Sequence, residues 1–138
     1  MLTGLWTIGI KVPDLERELA FQQRLGSQLV LDETLEINGS SYRLPLIRMA
    51  DKYLHLAEKM VYEELIGASL PYGITHLVYR SDSFDRDLRT ALDAGASALG
   101  DVALVEAGFG KRRVAFLRAP SGWIFEIIEV LVNLVPEV

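Results

Sequence analysis

Apolar and polar residues alternate through residues 5–12, Leu-Trp-Thr-Ile-Gly-Ile-Lys-Val. Period two of this kind predicts a strand with Trp6, Ile8, Ile10 and Val12 on one face and Thr7, Gly9 and Lys11 on the other. Pro13 stops it, and Asp14 is placed to cap a helix running to about Leu25. The apolar positions Leu15, Leu19 and Leu25 fall near helical spacing, and Gly26 suits the C-terminal stop. Three strand-like stretches follow, at about 28–37, 42–49 and 53–59. Asn38-Gly39 between the first two predicts a hairpin, because both residues accept positive φ. Pro45 inside the middle stretch predicts an open edge or a bulge. The first unit therefore reads β-α-β-β-β.

Residues 60–72 carry neither period and end in Pro71, Tyr72 and Gly73, as expected of a connector with at most one helical turn. The pattern then restarts. A strand is expected over 74–80, a helix over 84–94 capped by Ser83 and ended at Gly95, a short strand near 101–106, and two more at 112–118 and 123–131. Thr7-Ile-Gly-Ile-Lys aligns with His76-Leu-Val-Tyr-Arg, and Tyr53-Leu-His-Leu-Ala-Glu with Ile124-Phe-Glu-Ile-Ile-Glu. The expectation is an α+β fold of two βαβββ modules forming curved mixed sheets around a shared cleft. Both modules belong to one domain spanning 1–138: module one at about 5–60, a linker at about 61–73, module two at about 74–131 and a C-terminal tail at 132–138.

Composition narrows the chemistry. With 50% hydrophobic and 24% charged residues among 138, the chain has the make-up of an ordinary globular domain. The absence of cysteine excludes disulfides, thiolate metal sites and cysteine nucleophiles, so any metal must sit on nitrogen and oxygen. Net charge is −5 and the one basic cluster is Lys111-Arg112-Arg113, which excludes a phosphate-tracking stripe and hence nucleic acid as a partner. No apolar run reaches the roughly 20 residues of a bilayer span, and the N-terminus lacks the basic start of a signal peptide. A cytoplasmic address with no membrane partner is the expectation.

The chain has only two histidines, and the repeat sets both at corresponding places. His76 is on the first strand of unit two, and His55 is on the last strand of unit one, equivalent to Glu126. Alternation sends Leu54, Leu56, Phe125 and Ile127 outward, so Thr7, His55, His76 and Glu126 should converge on the concave side. Taken singly, a strand histidine is an ordinary core or surface residue. Taken together, two imidazoles and a carboxylate suit a borderline divalent cation with open positions for substrate or water. Lys11 and Arg80 are repeat equivalents that could draw an anionic substrate to the cleft, and Tyr53 and Phe109 could form its aromatic wall. Glu106 is a further candidate base.

The stretch Trp-Thr-Ile-Gly-Ile-Lys-Val-Pro-Asp-Leu-Glu, the Leu25-Gly26 helix end and the run Gly110–Glu129, with Phe116, Ala119-Pro-Ser-Gly122 and Glu126, resemble the vicinal oxygen chelate superfamily. That superfamily includes glyoxalase I, methylmalonyl-CoA epimerase, extradiol dioxygenases and the metal-free bleomycin-resistance proteins. The resemblance implies metal ligands at Thr7, His55, His76 and Glu126, of which His55, His76 and Glu126 bind strongly. Thr7 stands where metal-binding members have histidine. Two functions follow from it. One is a metal-dependent enzyme (a lyase, isomerase or extradiol-type dioxygenase) using Fe, Zn, Ni or Mn as Lewis acid on a small substrate with vicinal oxygens. The other is a metal-free small-molecule binding or resistance protein of the bleomycin-resistance type. The resemblance also implies a homodimer, and leaves open whether the modules pair within a chain or across subunits.

Overall fold

A computed structural model describes residues 1–138. The chain forms, in order, β1 (Leu2–Lys11), α1 (Leu15–Arg24), β2 (Gln28–Leu31), β3 (Thr34–Ile37), β4 (Ser40–Arg43), β5 (Leu46–Met49), β6 (Lys52–Ala57), α2 (Glu63–Ile66) and β7 (Gly73–Ser81). The second half continues with α3 (Phe84–Asp93), β8 (Ser97–Ala98), β9 (Ala103–Ala107), β10 (Gly110–Arg118) and β11 (Ile124–Asn133). One curved mixed sheet carries the strands in the order β2-β5-β6-β1-β7-β11-β10-β8, with β9 also on β10. Each module pairs its first strand with its last in parallel, β1 with β6 and β7 with β11. Antiparallel pairing of β1 with β7 joins the modules within the chain. The expected α+β fold of two curved modules is the observed one.

Two expected strands are each divided. Residues 28–37 break at Asp32 and Glu33, and 42–49 break at Leu44-Pro45, because proline offers no N–H to a ladder. The inner halves, β3 and β4, leave the main sheet as a separate two-stranded hairpin. Its turn is Asn38-Gly39, with φ of 52° and 81°. Asp14 caps α1 by accepting from the Arg17 N–H. Ser83 holds the N-cap position of α3, but its side chain makes no capping hydrogen bond, because its hydroxyl donates to Asp82 Oδ1 and accepts from Arg86 Nη2.

The helices cover the convex face. Leu15 of α1 packs with Val12, Ile47 and Leu56, and Phe84 of α3 packs with Ala115, Leu117, Phe125 and Ile127. The largest cluster lies on the concave side. There Trp6, Tyr53, Tyr62, Val78, Phe109, Val114 and Phe116 are covered by Leu35, Ile37 and Tyr42 of the hairpin and by Val135 of the tail. The shared cleft is thus mostly filled with side chains. No helix is long and apolar enough to cross a membrane.

Candidate functional site

What remains of the cleft is a cavity of about 70 Å³. His55 on β6, His76 on β7, Arg112 on β10 and Glu126 on β11 reach it from the sheet, and Tyr62 reaches it from the segment before α2. Leu35, Ile37 and Leu44 close it from the hairpin side, and most of its wall is apolar.

His76 is 7% exposed and held at both ring nitrogens. Nε2 lies 2.7 Å from Glu126 Oε2, and Nδ1 lies 2.8 Å from the Tyr62 hydroxyl and 3.1 Å from Thr75 Oγ1. Thr75 donates its hydroxyl hydrogen to the Gly9 carbonyl, so Nδ1 faces two hydroxyl oxygens; in the neutral ring it accepts from Tyr62 O–H while Nε2–H donates to Glu126. A relay Tyr62→His76→Glu126 results. Burial raises the pKa of Tyr62, keeping it a neutral donor. The ring rests on Gly9, where any side chain would collide with it.

His55 is not part of the relay. Its ring stands edge-on to Trp6 at 5.7 Å and lies 6.0 Å from Phe109. Burial, with the neighbouring His76 and Arg112, lowers its pKa to about 3, so it is a neutral imidazole. His55, His76 and Glu126 therefore share one cavity wall, but no three of the chain's histidine and acidic side chains converge on a common point. As placed, His76 Nε2 and Glu126 Oε2 lie 2.7 Å apart and His55 does not join them around a common centre.

The four residues expected along the cleft wall are elsewhere. Thr7 is fully buried, and its hydroxyl has no hydrogen-bond partner. A register shift lies beside it. Between Leu5 and Thr7 the pairing of β1 with β7 skips Trp6, and the bulge turns Trp6 into the concave core, not toward the helix face where alternation put it. Tyr53 is fully buried, its hydroxyl donating to the Pro136 carbonyl at 2.7 Å. Lys11 is captured by the connector: its Nζ is 2.6 Å from Glu63, 3.0 Å from Ser69 Oγ and 2.7 Å from the Leu70 carbonyl. Arg80 pairs on the surface with Glu137 of the tail at 2.8 Å. Glu106 pairs with Lys111 at 3.1 Å and is exposed. Phe109 does line the cavity.

Sequence reading missed two polar members of the wall. Tyr62 sits in the aperiodic connector and gives no signal. Arg112 had one, since it shares the parity of the inward-facing Val114 and Phe116.

The architecture matches solved structures over almost the whole chain. A methylmalonyl-CoA epimerase of Streptomyces coelicolor, in complex with 2-nitronate-propionyl-CoA, is 23% identical; the match covers 96% of this chain and 100% of that one, with a TM-score of 0.73. The fold is that of the vicinal oxygen chelate superfamily. A methylmalonyl-CoA epimerase of Mycobacterium tuberculosis shares this vicinal oxygen chelate architecture at 21% identity, covering 95% and 90% with a TM-score of 0.70. A 4-hydroxymandelate synthase of Streptomyces coelicolor matches at 14% identity and a TM-score of 0.61, with 94% of this chain spanning 48% of that one. No protein-family model matches the chain, and no curated protein matches it in sequence.

Proposed function

We propose that this chain is a small-molecule-binding protein of the vicinal oxygen chelate fold that receives its ligand in the cavity between the modules without a metal. The observation that carries this reading is the state of His76. Tyr62 and Glu126 occupy both ring nitrogens, so the imidazole is committed to a protein network. The apolar wall supplies affinity for a compact organic body, and the Tyr62–His76–Glu126 relay forms a polar boundary. Residues 1–138 act as one unit, because side chains of both modules build the wall.

A second reading rests on the shared wall of His55, His76 and Glu126. Under it, His55, His76 and Glu126 would hold a divalent ion, which would supply Lewis-acid chemistry toward a substrate with neighbouring oxygens, and the protein would be an enzyme.

Metal analysis of protein purified without chelator separates the two. The binding reading expects well under one equivalent of metal, unchanged in His55→Ala and His76→Ala variants. One equivalent, lost in both variants, would establish the second reading instead. The homodimer implied by the resemblance is checked separately by sedimentation.

A further inference from the structure

Arg112 is 1% exposed and forms part of the cavity wall, yet no carboxylate lies within ion-pair distance of it. Four of its five N–H groups are used. Nη1 donates to the Lys111 and Val132 carbonyls, and Nη2 donates to the Phe109 carbonyl and Asn133 Oδ1. The fifth, Nε–H, is buried with no acceptor. The guanidinium carbon lies 4.8 Å from the Trp6 ring centre and 5.1 Å from that of Phe109, so the fork is clamped between two aromatic faces. Every acceptor it meets is neutral.

A buried cation without a counter-charge is costly, and hydrogen bonds to carbonyls offset only part of that cost. Burial pulls the Arg112 pKa down to about 10, still well above neutrality, so the charge persists. It is felt in the cavity, where it contributes to holding His55 neutral. Glu126, the acidic side chain in the wall, has one oxygen on His76 and none on Arg112.

We propose that Arg112 is the anion-recognising residue of the cavity and that the ligand class is a compact organic carboxylate with an apolar body. The inference rests on the small-molecule reading above. A carboxylate in the cavity supplies the missing counter-charge beside the guanidinium, and the hydrocarbon part lies against Leu35, Ile37, Val105 and Phe116. A neutral isostere leaves the cation uncompensated. Affinity therefore discriminates by charge at one end and rises with chain length at the other.

The test uses straight-chain carboxylates from propionate to hexanoate and the matching primary amides, at pH 7.5, with binding read from Trp6 fluorescence in a Trp123→Phe background. Carboxylates are expected to bind at least tenfold more tightly than their amides, with affinity rising about fourfold per added methylene until the cavity is full. Arg112→Gln should abolish the preference for carboxylate, Arg112→Lys should retain part of it, and the surface variant Arg118→Gln should leave it intact. Equal affinity for acids and amides in the unmodified protein overturns the anion assignment while the binding reading stands; this comparison needs no Arg112 variant to fold. A carboxylate preference that survives Arg112→Gln also overturns it. Failure of every acid and amide to bind defeats both readings.

Discussion

The imidazole of His76 lies against Gly9 so closely that the space a Cβ would take at residue 9 is occupied by the ring. Gly9 is buried and is paired with His55 on one side and His76 on the other, so two strands of one module and one of the next meet at a residue without a side chain. Gly9→Ala should therefore drive His76 off Glu126. Overpacking of this kind costs about 1–3 kcal/mol, measurable by denaturant unfolding. Carboxylate binding should fall with it, because the displaced ring enters the cavity.

Tyr62→Phe tests the relay. It removes the hydroxyl 2.8 Å from His76 Nδ1 and leaves a buried acceptor with a weaker partner, at a cost of about 1–2 kcal/mol. Nitrogen NMR of the imidazole should show Nε2 protonated and Nδ1 bare in the unmodified protein, with the Nδ1 resonance shifting in the variant. A doubly protonated ring that does not respond to the substitution would refute the assignment.

His55 sets an acid limit on stability. Its folded pKa of about 3 lies below the ordinary histidine value of 6.5, so between those pH values the unfolded chain binds a proton that the folded one refuses. Stability is unaffected above pH 6.5 and declines as pH falls toward 3, by at most about 1.4 kcal/mol per pH unit. His55→Gln removes this contribution. The difference between the unfolding free energies of the two proteins, plotted against pH, should be flat above 6.5 and sloped below it.

Lys11 and Glu63 form a buried ion pair that fastens the connector to the end of β1. Burial would raise the Glu63 pKa, but the Lys11 ammonium and the N–H groups of Leu70 and Met60 outweigh it and hold the carboxyl below its usual value. Lys11→Met strands a buried carboxylate and should cost about 3–5 kcal/mol at pH 7. The penalty should shrink as pH falls through the carboxylate range, because protonation of Glu63 relieves the variant while it weakens the unmodified pair.

The fold was legible because its signals are local. The β-α-β-β-β units follow from alternation in 5–12 and 74–80, from Asp14 and Gly26 around α1, and from Asn38-Gly39 in the hairpin. The inward set His55, His76 and Glu126 follows from parity on regular stretches of β6, β7 and β11. Where a strand is irregular the same rule misplaces residues. The register shift in β1 put Trp6 inside, while Thr7 is covered by packing and Lys11 is held by Glu63 of the connector. Tyr53 has the correct parity, yet the returning tail at Pro136 covers it.

Sequence alone determined the order of elements, the duplication and the face on which most strand residues lie, since period, caps and turn residues act over a few positions. Only the tertiary structure decided which of those inward residues touch open space. That depends on bulges, on the aperiodic segment carrying Tyr62, and on a tail and hairpin that fill the concave side. It also depends on whether a buried charge finds its opposite: Lys11 meets Glu63, while Arg112 meets only carbonyls, an amide oxygen and two aromatic rings. These are contacts between segments far apart in the chain, and no local pattern specifies them.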